Sequence, residues 1–146
     1  MRSSARTPLH VSEHRHPRAL IDTSVVIDLE SIDAVDLPAE IGVSAITLAE
    51  LAAGPHATTD PAERARRQDR LQRAEATFDP LPVDAAVARA YGRVFAAVNA
   101  AGRKARGRRF ADLMIAATAV AAGLPLYTRN VDDFAGLSDL LEIVRI

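Results

Sequence analysis

Four short apolar segments, each of three or four residues, are spaced along the chain between longer segments of helical period. They lie at residues 19–21, 41–43, 124–127 and 143–146. None of them alternates between apolar and polar residues, which is typical of strands in a parallel sheet that is buried on both faces. Right-handed crossovers between such strands give a three-layer α/β/α sandwich with a short central parallel sheet, and this is the fold that we predict.

The segments between these strands carry signals for the ends of helices. Asp60 followed by Pro61 gives an N-cap and a first-turn proline, and Asp84 is a second N-cap. Gly123 is a signal for the end of a helix, because glycine readily adopts the left-handed conformation that follows a last helical turn. These signals predict helices over residues 46–53, from Asp60 to about residue 77, from Asp84 to near residue 102, and over residues 111–122. A further strand is predicted at residues 81–83.

Length and composition narrow the class of protein. The 146 residues are enough for one folded domain, which we expect at residues 18–146. Residues 1–17 mix Arg, His, Ser and Pro without periodicity and are expected to form a mobile N-terminal tail. No apolar run resembles a signal peptide or a membrane span, so the protein is expected in the cytoplasm. Without Cys, any bound metal must use oxygen or imidazole ligands, which favours hard cations.

The net charge of −1 conceals strongly charged blocks. Residues 19–60 hold eight acids and no Lys or Arg, whereas residues 64–73 hold five Arg. The Arg run is predicted to be a helix face, with Glu63 and Arg67 spaced as an ion pair, the alternative being contact with RNA or with a partner protein. A second basic stretch is predicted to contact RNA phosphates, the alternative being a solvated loop; it consists of Arg103, Lys104, Arg106, Arg108 and Arg109.

Several acids stand at or just beyond the ends of the predicted strands. Asp22 ends the first strand, Glu50 lies in the helix after the second, Asp112 begins a helix after the basic stretch, and Asp132 and Asp133 follow the third strand. Carboxyl ends of parallel strands meet at one crevice, so these side chains are expected to converge. Each has a structural alternative: Asp22 and Asp112 suit helix N-termini, Glu50 suits a solvated helix position, and Asp132 and Asp133 suit a loop.

Converging carboxylates predict a particular chemistry. Like charges repel, and a divalent cation such as Mg²⁺, which prefers oxygen ligands, removes the repulsion. A cation held there lowers the pKa of bound water and offsets charge on a phosphodiester. No His lies near these acids and no glycine-rich phosphate loop is present, so a His general base and P-loop nucleotide hydrolysis are disfavoured.

At these acids the chain resembles the PIN-domain family, and most closely its VapC-type toxins. The matching motifs recur in family order at residues 20–25, 44–51, 112–119 and 128–134. The resemblance covers about residues 19–146. It implies a metal-dependent endoribonuclease, the toxin of a toxin–antitoxin pair, that hydrolyses RNA with metal-activated water.

The resemblance also implies a role for each acid. Asp22 and Asp112 correspond to the principal ligands of Mg²⁺ or Mn²⁺. Glu50 corresponds to a third acid that binds metal directly or through water. Asp133 matches the fourth acid, although Asp132 beside it is an alternative.

Further residues and partners follow from the same resemblance. Asn130 occupies a position where many relatives carry Asp or Asn, and Thr23 or Ser24 matches a hydroxyl near the metal, with helix capping as the alternative. The expected partners are an RNA substrate and a cognate antitoxin whose tail blocks the cleft. A homodimer or a hetero-oligomer with the antitoxin is expected.

Two other functions remain open from the sequence. One is a catalytically degenerate module that binds RNA or the antitoxin. The other is a metal-dependent phosphatase that acts on small phosphate esters, an activity with less need for the basic stretch.

Overall fold

The structure is a computed structural model that describes residues 16–103 and 108–146. The mobile tail predicted at residues 1–17 therefore lies outside the described residues, apart from His16 and Pro17. None of the helices in the described ranges is long and apolar enough to cross a bilayer.

A parallel sheet of four short strands forms the centre of the domain. The strands are β1 (Arg18–Ile21), β2 (Glu40–Gly42), β3 (Leu126–Thr128) and β4 (Ile143–Arg145), in the order β2-β1-β3-β4. Leu20 lies opposite Gly42 on one side and Leu126 on the other. All three pairings are parallel, as predicted, and each observed strand overlaps its predicted segment.

In the part of the chain that the structure describes, five α-helices connect and cover the strands. They are α1 (Thr23–Ile27), α2 (Ala45–Ala53), α3 (Pro61–Thr77), α4 (Ala85–Ala100) and α5 (Arg108–Ala122), with 3₁₀ helices at Leu29–Ser31, Ala34–Asp36, Gly54–Ala57 and Val131–Phe134. The predicted caps are confirmed, because Asp60 and Asp84 accept hydrogen bonds from the backbone of Glu63 and Val87. Gly123 follows α5 with φ of +68°.

The pleat of the sheet divides the core into two parts. Leu20 and Leu126 point to one face and pack with the buried residues of α4 and α5. Ala19, Ile21 and Tyr127 point to the opposite face and pack with residues of α1 and α2. Successive strand residues alternate between faces, so these apolar strands bury both sides. The predicted three-layer α/β/α sandwich is confirmed.

The predicted strand at residues 81–83 is wrong. Leu81 makes a single parallel bridge to Ser44, and no ladder follows it. The physical reason is that the segment paired with Leu81 enters helix α2 at Ala45, directly after Ser44, so no extended residue follows to pair with Val83.

The helix that carries Asp112 begins three residues before its predicted start at residue 111. Arg108 and Arg109 belong to α5, since arginine favours helix nearly as well as alanine does. Asp112 is therefore inside the helix. From Leu113 to Ala119 every residue of α5 is buried, so the helix is a rigid element of the core that supports Asp112.

Candidate active site

A cavity of about 520 Å³ opens where β1 and β3 end, and all four acids proposed as ligands line it. These acids come from four separated parts of the chain: the residue after β1, helix α2, helix α5 and the 3₁₀ helix after β3. The full lining consists of Asp22, Thr23, Ser24, Ile27, Glu50, Arg109, Asp112, Asn130 and Asp133.

Asp22 is the most buried of these acids, with 4% of its surface exposed. It caps α1, because its Oδ1 accepts a hydrogen bond from the backbone N–H of Val25 at 3.1 Å. The same oxygen accepts from the Ser24 hydroxyl at 2.6 Å, and Oδ2 accepts from the Thr128 hydroxyl at 2.5 Å. The capping interpretation of Asp22 is thus confirmed, and it coexists with a place in the cavity.

Glu50 is held by a hydroxyl from the neighbouring helix. The Thr23 hydroxyl donates to Glu50 Oε1 at 2.5 Å, and its oxygen lies 3.1 Å from that of the buried Thr47. Glu50 is half-buried on α2, so the alternative of a fully solvated helix residue is wrong. Thr23 thus fixes the third acid, and Ser24 fixes the first.

Asp112 is the acid whose ionisation the fold perturbs most clearly. It lies in the second turn of α5, so the alternative of a helix N-cap is wrong. Burial raises the pKa of Asp112 to about 6, helped by the negative charges of Asp133, Glu50 and Asp22 and opposed by Arg109. Asp133, Glu50 and Asp22 are therefore each close enough to Asp112 to disfavour its charged form.

The segment after β3 supplies one acid and one amide to the cavity. Asp133 is half-buried and lines the cavity, whereas Asp132 is exposed and is absent from the lining. The geometry thus favours Asp133 over Asp132 as the fourth acid. Asn130 also lines the cavity, and its side chain makes no capping bond to the 3₁₀ helix that follows.

Two of the predicted RNA-binding residues have described side chains. Arg109 lines the cavity and donates to the backbone carbonyl of Asp133 at 3.1 Å, and Arg103 donates to the carbonyl of Asp132 at 3.3 Å. Lys104 and Arg106 lie outside the described residues. Arg108 is described only as the first residue of α5.

Sequence reasoning missed one residue that contacts the site directly. Thr128 is fully buried at the end of β3, and its hydroxyl donates to Asp22. The available signal was its place at the carboxyl end of a predicted strand, where polar side chains face the same crevice as Asp22. Arg129 was missed as well; it pairs with Asp28 at 3.2 Å and so links the end of β3 to α1.

The donor set fits a hard divalent cation that keeps part of its water shell. The side chains are carboxylates, hydroxyls and one amide, which are oxygen donors. Among residues 16–103 and 108–146, no three His, Asp or Glu groups form a ready-made metal cage. Mg²⁺ is usually held by one or two carboxylates, with water in its other positions, so the arrangement suits this ion and its chemical relatives.

The arginine run on α3 is a charged helix face, as predicted. Glu63 accepts ion pairs from Arg66 and Arg67, each at 2.8 Å, and these bonds lower the pKa of Glu63, Arg67 most strongly. Arg73 pairs with Asp69 and Glu30, each at 3.2 Å. Much of the charge in this run is therefore balanced within the chain.

A second cavity, of about 270 Å³, lies between α1 and α3 beside the first. Ile27, which is 46% exposed, lines both cavities. The second cavity mixes apolar and charged groups, and its lining is Val26, Ile27, Leu29, Glu30, Arg70, Arg73, Ala74, Thr77 and Phe78.

The raised pKa of Asp112 predicts how the stability of the metal-free protein depends on pH. A carboxyl whose folded pKa lies above its unfolded value of 3.8 stabilises the fold below pH 4 and loses that contribution as pH rises through 6. Asp112 is half-exposed, so solvent screening reduces the effect to about 1 kcal/mol. Asp112→Asn should therefore raise the free energy of unfolding by about 1 kcal/mol at pH 7.5.

Urea denaturation in the presence of a chelator measures this difference. The difference between the two proteins should shrink as the pH falls from 7.5 through 6 towards 4, because the carboxyl of Asp112 in the folded protein becomes protonated over that range. A variant that is no more stable than wild type at pH 7.5 would contradict the charge crowding described above.

Comparison with known proteins identifies the family of this chain. Residues 19–139 match the model of the PIN domain. The chain is similar to ribonuclease VapC5 of Mycobacterium tuberculosis, with 36% identity over 132 residues, which is 87% of this chain and 94% of the relative. It is also similar to ribonuclease VapC4 of the same organism, with 37% identity over 88% of this chain and 97% of the relative.

A solved structure agrees with these relatives. The chain superimposes on a chain in the crystal structure of VapBC-5 from Mycobacterium tuberculosis, a member of the VapBC family of toxin–antitoxin systems. The TM-score is 0.77 and the identity 36%, covering 89% of this chain and 99% of that chain.

Proposed function

The chain belongs to the PIN-domain family, and on this premise we propose that it is the toxin of a toxin–antitoxin pair, a metal-dependent endoribonuclease that hydrolyses RNA phosphodiester bonds. One observation carries the proposal: four acids from separated parts of the chain line one cavity at the ends of the strands. Relatives that span nearly the whole chain are named ribonucleases, which supports the same activity.

The acids would hold Mg²⁺ or Mn²⁺ with Asp22 and Asp112 as principal ligands, and with Glu50 and Asp133 binding directly or through water. When bound, the ion supplies a Lewis acid that activates water and offsets charge on the phosphate. Asp22 gives a rigid ligand because three hydrogen bonds hold it. Asp112 is equally well supported, because the buried part of α5 follows it.

Arg109 is proposed to position the RNA backbone against these acids. Its side chain lines the same cavity, and a guanidinium there is attractive to phosphate. Arg109→Gln should weaken RNA binding about tenfold and reduce the salt dependence of binding by about one phosphate contact. Fluorescence anisotropy with a labelled RNA at several salt concentrations measures both effects.

Arg93→Gln is the matched control for Arg109→Gln. Arg93 is exposed on α4 and does not line the cavity, so its replacement should leave the affinity and the salt slope nearly unchanged. Equal losses in the two variants would mean that RNA binds through general positive charge rather than at the acidic cavity.

The proposed protein partner is the cognate antitoxin, with its tail lying across the cavity. The cavity between α1 and α3 supports this, because it shares Ile27 with the acidic cavity and offers apolar and charged contacts together. A homodimer, or a hetero-oligomer with the antitoxin, is proposed as the assembly. Light scattering after size-exclusion chromatography, with and without the antitoxin, measures it.

Cleavage of a labelled RNA in Mg²⁺, in Mn²⁺ and in EDTA tests the proposed activity. We expect internal cuts with either metal and none in EDTA. RNA binding without cuts in any condition would favour the degenerate module. Turnover of a phosphomonoester with intact RNA would favour the phosphatase.

A further inference from the structure

We propose that Thr128 and Ser24 form a hydroxyl clamp that fixes Asp22 and couples it to the segment after β3, with Thr128 as its principal positioning residue. This inference rests on the proposed function, because it concerns how the first acid is prepared for metal. Thr128 lies at the end of β3, beside β1, the strand that ends just before Asp22.

The hydrogen bonds of Thr128 have a defined direction. Its oxygen accepts from the backbone N–H of Asn130 at 2.9 Å, and that group can only donate. The single hydroxyl proton of Thr128 therefore goes to Oδ2 of Asp22, 2.5 Å away, because an ionised carboxylate can only accept. Both partners are buried, so water does not compete for this bond.

Ser24 makes the same kind of link to the other carboxylate oxygen. Its oxygen accepts from the backbone N–H of Arg129 at 3.2 Å, and its hydroxyl lies 2.6 Å from Oδ1 of Asp22. The backbone N–H of Asn130 is thus connected through the Thr128 hydroxyl to Oδ2 of Asp22. The backbone N–H of Arg129 is connected through the Ser24 hydroxyl to Oδ1 of the same carboxylate. The carboxylate is held at both ends by a single short segment.

The clamp leaves limited acceptor capacity on Asp22. A carboxylate accepts at about four lone-pair positions. The two hydroxyls occupy two of these positions on Asp22, and the backbone N–H of Val25 occupies one more. About one position remains for a ligand, and its direction is set by the three hydrogen bonds. Because the clamp ends at Asn130, it also ties Asp22 to the loop that leads to Asp133, so both acids depend on the Thr128 hydroxyl.

Calorimetric titration of the metal-free protein with Mn²⁺, without RNA, tests the clamp. Groups that orient a metal ligand typically change metal affinity by about 10- to 100-fold when they are removed. Thr128→Val, which replaces the hydroxyl by a methyl group, should weaken Mn²⁺ binding by about that factor. Thr128→Ser, which keeps the hydroxyl, should restore most of the affinity.

Thr118→Val is the matched control. Thr118 is also a buried threonine; its hydroxyl donates to the carbonyl of Met114 at 2.9 Å and lies 3.0 Å from that of Ser44, but it does not line the cavity. It should lower thermal stability without changing Mn²⁺ affinity. If Thr128→Val does not fold, Thr128→Ala and Thr128→Ser give a second pair that differs by one oxygen atom, with the Ala variant expected to bind Mn²⁺ more weakly.

The outcomes separate this inference from the proposed function. Wild-type Mn²⁺ affinity in a Thr128 variant without the hydroxyl would overturn the clamp and leave the nuclease proposal standing. An equal loss of affinity in Thr118→Val would overturn it too, since the effect would then be general destabilisation. Absence of Mn²⁺ binding by the wild-type protein would instead contradict the proposed function itself.

Discussion

Asp112→Asn is expected to abolish RNA cleavage, lowering kcat at saturating Mg²⁺ by at least about 10³-fold while the protein stays folded. The physical reason is that an amide is neutral and therefore a weaker metal ligand than a carboxylate. A catalytic cation stabilises the transition state by several kcal/mol. Each 1.36 kcal/mol of that stabilisation changes the rate by a factor of about ten. Single-turnover cleavage of a labelled RNA measures the rate. Denaturation in the same buffer measures the fold.

Asp132→Asn provides the control for this substitution. Asp132 is an acid near the same site, but it is exposed and does not line the cavity. Its variant should cleave at close to the wild-type rate. Unchanged cleavage by Asp112→Asn at saturating Mg²⁺ would contradict the proposed role of Asp112.

Asp22→Asn is expected to abolish cleavage as completely and also to destabilise the fold by about 1–3 kcal/mol. An asparagine still caps α1, but its amide group can accept only at one atom. The Thr128 proton would then lack an acceptor in a buried place, because Oδ2 of Asp22 is its partner. Stability should therefore fall, whereas Asp112→Asn should raise it at neutral pH.

Asp84→Asn is the matched capping control for Asp22→Asn. Asp84 caps α4 through one hydrogen bond from Val87 and is exposed, so its replacement should change stability little and leave cleavage intact. Chemical denaturation of the three proteins in EDTA gives the comparison. Equal stability of Asp22→Asn and wild type would contradict the hydrogen bonding described for Asp22.

The parallel sheet and its layers were predictable because the strands are apolar on both faces. Alternating side chains at Leu20 and Ile21 go to different core clusters, and that pattern is visible in the sequence. The start of α5 was not predicted, because Arg108 and Arg109 continue a basic stretch that was interpreted by its charge, although arginine itself favours helix. The strand expected at residues 81–83 did not form because the segment paired with Leu81 enters helix α2 directly after Ser44, and no local pattern around residues 81–83 shows this.

The acids of the candidate site were predictable from their places beyond strand ends, and hydroxyls at Thr23 or Ser24 were predicted near them, but the contact of Thr128 with Asp22 was not. Asp22, Glu50, Asp112 and Asp133 line one cavity, as the topology indicated. The choice of Asp133 over the adjacent Asp132 depended on which of them faces inwards from a short 3₁₀ helix. A hydrogen bond between Thr128 and Asp22 joins residues 106 positions apart, and no local pattern predicts it.

The most direct test of the account is anomalous diffraction from a crystal of the protein equilibrated with Mn²⁺. The account predicts a manganese peak in the cavity lined by Asp22 and Asp112, within about 2.0–2.6 Å of an oxygen of each, with waters completing the coordination. The peak should be lost in Asp112→Asn. An empty cavity at a Mn²⁺ concentration that supports RNA cleavage, or a peak bound away from these acids, would contradict it.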